Sequence, residues 1–142
     1  MRLLVFNGPN IKVLDKRNSE LYGGKSYKEM VSLIKNHAKK RSIKINFYES
    51  NSEGKLISFI QKNLDKYDGW IVNLGAYSHY SYAIRDALEL LNKKIVEVHI
   101  TDINSREDFR KTSVIEDLSS YRIIGKGIEG YLLAIDWLKE NT

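Results

Sequence analysis

The run Gly69 to Asn73, reading GWIVN, carries no polar side chain before its last position. A strand with one face in water alternates apolar and polar residues, so an unbroken run belongs to a strand covered on both faces of a parallel sheet. Parallel neighbours require crossovers, and the flanking sequence supplies them. Leu3 to Phe6 reads as a short buried strand, and Ile43, Ile45 and Phe47 alternate as another. In Ile95 to His99, β-branched residues alternate with Glu97 and His99, and Arg122 to Ile124 reads as a last strand. The segments between them have helical period. Ser26 and Glu29 form a capping box ahead of Met30, Leu33, Ile34 and Ala38. Leu56, Ile57, Phe59, Ile60 and Leu64 make a second apolar stripe, and Ala83 to Leu91 a third helix. Tyr131, Leu132, Ile135 and Leu138 line a closing helix over Ile128 to Leu138. This alternation predicts one doubly wound α/β domain over residues 1–142, a five-stranded parallel sheet with helices on both faces.

In such a sheet the polar turns after the strands converge on one edge, where ligands bind. These turns are Asn7 to Asn10, Asn73 to His79, and His99 to Arg110. Glu97 and His99 are two apart on a strand and share a face, which in isolation fits an edge strand turned to solvent as well as a site. Ile11 to Gly24 has no period, and holds Arg17, Tyr22 and a Gly-Gly pair. A loop of that length in a small domain is expected to be functional, here a mobile lid.

A net charge of +5 invites a nucleic-acid reading. However, Lys35, Lys39, Lys40, Lys62, Lys66, Lys93 and Lys94 are dispersed along predicted helices among acids, so nucleic acid is not the expected partner. No apolar run approaches the ~20 residues of a membrane span, and MRLLVFNGPN reads as a first strand rather than a signal peptide. The chain has no cysteine, which excludes disulfides, thiol catalysis and thiolate metal ligands. A cytoplasmic protein is the simplest expectation.

His79, His99 and Glu97 are conceivable metal ligands, but the surrounding cations would repel a dication, so no metal is expected. Phosphate-loop, dinucleotide and nucleophile-elbow patterns are missing. What remains is acid–base chemistry on a small, anionic, polyhydroxylated molecule. A tyrosine becomes a usable base where cations favour its phenolate, and Arg17 lies in the same loop as Tyr22. A histidine oriented by a carboxylate is the usual general acid near neutral pH. Asn7, Asn10 and Asn73 at strand ends suit an enolate. Arg106, Arg110 and backbone N–H groups suit a carboxylate.

Four blocks carry a resemblance over about Leu3 to Leu138: NGPN at Asn7 to Asn10; Arg17 with ELYG at Glu20 to Gly23; NLGAYSHYS at Asn73 to Ser81; and VEVHITDINSREDFR at Val96 to Arg110. In this order and spacing the chain resembles the type II 3-dehydroquinate dehydratases, shikimate-pathway enzymes that convert 3-dehydroquinate to 3-dehydroshikimate. The resemblance implies a flavodoxin-like domain and an elimination through an enolate. By it, Tyr22 is the base at carbon 2, Arg17 assists it, and Asn10 stabilises the enolate. His99 protonates the departing hydroxyl and Glu97 holds His99. Asn73, Ile100 and Thr101 take the substrate carboxylate, His79 and Arg110 the ring hydroxyls, and Arg106 belongs to the same substrate-binding set. Asp86 reaches a neighbouring subunit's site. Trimers grouped into dodecamers and no metal or organic cofactor are likewise implied.

The chain departs from the family pattern at Asp15, Asn18-Ser19, Leu74, Asp102 and Thr112 to Tyr121. None of these is a chemical group of the implied mechanism. The alternative is a catalytically silent flavodoxin-like protein that binds some other small anion.

Overall fold

The computed structural model describes residues 1–142. Five parallel strands, β1 (Arg2–Asn7), β2 (Lys44–Glu49), β3 (Gly69–Asn73), β4 (Lys94–His99) and β5 (Tyr121–Ile124), stand in the order β2-β1-β3-β4-β5. The helices are α1 (Ser19–Tyr22), α2 (Tyr27–Lys39), α3 (Glu53–Lys62), α4 (Tyr82–Leu88) and α5 (Glu129–Asn141). This is the flavodoxin-like order, in which the chain leaves the sheet in opposite directions on either side of β1.

The apolar pattern explains both layers. Alternate residues Leu3, Val5, Ile71, Val96 and Val98 pack on Met30 and Ile34 of α2 and on Tyr131, Ala134 and Ile135 of α5. The residues between them, Leu4, Phe6, Trp70, Val72 and Ile95, pack on Leu56 and Ile60 of α3 and Ile84 and Leu88 of α4. All of GWIVN is buried, as a strand with two covered faces requires. β4 is interior, paired with β3 and β5, so its alternation does not mark a wet face. Glu97 is 1% exposed and His99 4%.

The structure corrects the sequence reading at several points. Leu33 is exposed, because at ~100° per residue it lies at the margin of the arc centred on Ile34. Glu29 accepts from the Ser26 hydroxyl at 3.3 Å rather than from its backbone N–H. His37 joins α2 to α5 through Asp136 at 2.9 Å. The segment 11–24 is not a structureless loop. Asn18 caps α1 by accepting from Glu20 N–H at 2.9 Å, and Gly23 ends it at φ 84°. Ile11, Leu14 and Tyr22 anchor this segment in the core.

The turns after β1 and β3 are pinned together, with Gly8 N–H donating to Asn73 O at 2.8 Å. A Cβ on Gly8 would lie 2.2 Å from the Leu74 carbonyl oxygen, a clash with backbone that no rotamer relieves. Gly8→Ala is therefore expected to cost about 1–3 kcal/mol or more in urea unfolding; wild-type stability would show that the two turns separate freely.

Candidate active site

Beyond the carboxyl ends of β1, β3 and β4 lies a cavity of about 150 Å³. Its wall includes Asn10, Arg17, Tyr22, Asn73, His79, His99, Ile100, Thr101, Arg106 and Arg110. Ten of the sequence-predicted site residues are thus brought together. Three arginines and two histidines face the cavity and no carboxylate does, a field suited to a small anion. A larger groove of about 670 Å³ shares Tyr22, Ile100 and Thr101 with it, but carries Glu20, Asp102 and Glu129 and none of the arginines or histidines.

Tyr22 is 8% exposed, held by the core on one side and by two guanidinium groups on the other. Arg106 Nη1 donates to the Tyr22 hydroxyl at 2.7 Å and to Thr101 Oγ1 at 3.3 Å. Arg17 lies over the ring face, 4.0 Å from its centroid. The sequence reading gave Arg17 as the cation beside Tyr22; it lies over the ring, and Arg106 makes the hydrogen bond to the phenol oxygen. Burial lowers the Arg17 pKa; Tyr22 opposes this while Arg106 and Arg110 add to it, and the group stays charged.

The opposite wall is built from β4. His99 Nε2 donates to Glu97 Oε2 at 2.6 Å, which leaves Nδ1 without a protein partner. Ser113 Oγ donates to the same carboxylate oxygen, and Arg122 Nε to Oε1 at 2.7 Å. Burial by itself raises the Glu97 pKa, but the hydrogen bonds from His99 and Ser113 and the charge of Arg122 outweigh it and hold the carboxyl below its ordinary range. His79 packs 6.5 Å from His99 between ring centroids and meets the Thr112 carbonyl through Nδ1 at 2.8 Å. Burial lowers its pKa against that hydrogen bond, so neutral His79 presents Nε2 as an acceptor.

Asn73 Oδ1 accepts from Gly75 N–H at 3.1 Å, and Nδ2 donates to Tyr131 Oη at 2.9 Å, leaving its second hydrogen for a ligand. Asn10 takes the left-handed conformation at φ 68°. Glu97 lies behind His99 and outside the cavity wall. Asp86 is exposed on α4 and is not brought to this cavity. Sequence reasoning missed Ser113 and Arg122. Arg122 gave a signal, a single charge inside the apolar run YRII; Ser113 gave none.

Fold and cavity together define a doubly wound α/β protein with a cation-lined cavity beyond the carboxyl ends of its strands. A sequence model described as Dehydroquinase class II matches residues 1–139, and the chain belongs to that family. The chain is 43% identical to a 3-dehydroquinate dehydratase of Thermotoga maritima, over 99% of this chain and 96% of the relative. It is 47% identical to one of Lachnoclostridium phytofermentans, over 96% and 94%. A crystal structure of type II dehydroquinase from Butyrivibrio crossotus superposes with TM-score 0.94 at 44% identity, covering 98% of this chain and 97% of the other.

The paired state of Glu97 makes a pH-dependent contribution to stability. Its folded carboxyl titrates below the ordinary 4.5, so the contribution is complete above about pH 4.5 and disappears as pH falls through the lower, folded value. Urea unfolding between pH 6 and pH 3 is expected to weaken more steeply in wild type than in Glu97→Gln. Parallel slopes would mean that Glu97 is not ionised in the folded protein.

Proposed function

We propose that this chain is a hydro-lyase that dehydrates 3-dehydroquinate to 3-dehydroshikimate. The observation that carries the reading is the placement of a guanidinium-bound phenol and a carboxylate-bound imidazole on one cavity with no carboxylate in its wall. Tyr22, as phenolate, takes the proton from carbon 2. Arg106 faces the charge on its oxygen, and Arg17 covers the ring. The electrons move to the carbonyl oxygen, and Asn10 stabilises the resulting enolate. Collapse of the enolate expels the carbon-1 hydroxyl, which His99 protonates so that it leaves as water. Glu97 holds the His99 ring and balances its charge. Asn73 with the Ile100–Thr101 segment receives the substrate carboxylate, and His79 and Arg110 the ring hydroxyls. The anionic substrate enters a field of three arginines.

We place the reaction in the cytoplasm and in a homo-oligomer of trimers, in which Asp86 serves a neighbouring copy. The exposure of Asp86 on α4 supports this. No helix is long and apolar enough to cross a membrane. The complete set Asn10, Arg17, Tyr22, Asn73, Glu97 and His99 argues against a silent anion-binding protein, which is free to lose any of them.

The test is to mix the protein with 3-dehydroquinate and follow the ultraviolet absorbance of the conjugated enone product. Wild type is expected to produce it, while Tyr22→Phe and His99→Ala each lose at least about a hundredfold in kcat with the fold intact. No product from folded wild type would support the silent binder, and near-normal turnover in either variant would refute the role given to that residue.

A further inference from the structure

Glu97 is almost fully buried, and its two oxygens are divided between different partners. Oε2 accepts from His99 Nε2 and Ser113 Oγ, whereas Oε1 accepts only from Arg122 Nε, at 2.7 Å. Arg122 stands directly opposite Glu97 in the β4–β5 register, so its side chain lies on the face that carries Glu97 and His99. Its Nη1 donates to Glu116 Oε1 at 3.0 Å, which fixes the outer end of the guanidinium. The result is a relay from the exposed Glu116 through Arg122 and Glu97 to the His99 ring. The proposed reaction uses Glu97 to hold His99. It does not explain how a buried carboxylate stays charged and correctly turned with one oxygen pointing away from the imidazole.

We propose that Arg122, seconded by Ser113, is a positioning residue that locks the Glu97–His99 pair, keeping the imidazole Nε2–H on the carboxylate and Nδ1 free for the cavity. Arg122 lies outside the cavity wall, and acts wholly through Glu97. Without it, Oε1 is a buried, unpaired carboxylate oxygen, which binds a proton more readily and holds the ring less firmly. Removing a cation also raises the proton affinity of the Glu97–His99 pair as a unit. The other groups around the pair are Ser113 and His79, the latter beside the His99 ring and itself near Arg110, with Glu116 behind Arg122. All remain in an Arg122 variant, so a shift there belongs to Arg122. Its effect on turnover rests on the dehydratase reading; its effect on the titration of the pair does not.

The experiment compares wild type, Arg122→Met, Arg122→Lys and Ser113→Ala. The titration of the pair is read at the His99 ring by NMR, with His99→Gln for assignment, beside pH profiles of kcat and KM for 3-dehydroquinate. In Arg122→Met, kcat is expected to fall about tenfold to a hundredfold with KM little changed. The midpoint and the matching limb of the profile are expected to move about one unit to higher pH. Arg122→Lys keeps the charge and is expected to restore most of both. A wild-type midpoint and profile in folded Arg122→Met, with only stability reduced, would overturn the proposal and leave Arg122 a clamp between strands. If Arg122→Met does not fold, Ser113→Ala decides: a smaller move in the same direction supports the lock, and an unmoved midpoint refutes it. If wild type fails to dehydrate 3-dehydroquinate, the dehydratase reading falls while the NMR titration still judges Arg122.

Discussion

Because β2 and β3 flank β1, the chain leaves the carboxyl ends of β1 and β3 toward opposite faces, and a crevice opens between them. Asn7 and Asn73 end these strands side by side, and both are buried, so their amides need partners from within the fold. Tyr131 of α5 supplies them. Its hydroxyl donates to Asn7 Oδ1 at 2.8 Å and accepts from Asn73 Nδ2 at 2.9 Å. Burial raises the Tyr131 pKa far above its ordinary value, against the Asn73 hydrogen bond, so it remains a neutral phenol. One helix thus ties both strands beneath the cavity and orients Asn73 toward it. Asn7 Nδ2 is left unpaired, a cost of about 1–3 kcal/mol. Polar groups in this condition are few in a folded protein, and this one sits under the floor of the site.

Charge is sorted by depth. Cations line the cavity; the carboxylate that holds His99 is buried behind it, and the exposed Glu107 pairs with Arg110 from outside the wall. In a poorly solvated region that carboxylate orients an imidazole only if its remaining lone pairs are matched, and Ser113 and Arg122 match them. The phenol of Tyr22 stands in the cavity wall with the guanidinium of Arg106 on its oxygen. The imidazole and the phenol therefore come from different segments, the end of β4 and α1. Arg106, from the chain after β4, bridges them by bonding both Tyr22 and Thr101.

Legibility in the sequence followed the range of the interactions. The sheet and its two layers could be read because GWIVN and the four-residue helical spacings report burial locally. The cavity residues could be read because turns after parallel strands converge whatever the strand order. The pairing of Arg106 rather than Arg17 with the phenol oxygen was not legible, since both lie within reach of a site at unknown angles. Arg122 and Ser113 were hidden because their partner is fixed by the register of β4 against β5 and by the path of a turn. The tie between His37 and Asp136 was hidden for the same reason, as the two lie 99 residues apart.

The departures from the family pattern are absorbed where they occur. Asn18 caps α1 with its own side chain, and the exposed Asp15 and Ser19 leave the apolar anchors Ile11, Leu14 and Tyr22 untouched. Leu74 turns into the core among Phe6, Val72 and Ile84, while its carbonyl still closes on Gly8. Asp102 accepts from Asn104 N–H at 3.1 Å and caps the turn that leads to Arg106. Thr112 meets His79 through its main-chain carbonyl, a contact that does not depend on the side chain at that position. Each departure thus makes its own hydrogen bond, buries its own surface or stays exposed, and none redirects a group in the cavity wall. The site tolerates them because its geometry is set by strand ends and by the buried Tyr131 and Glu97 networks, which among the departures only the Thr112 to Tyr121 segment enters, through Ser113 on Glu97 and Glu116 on Arg122.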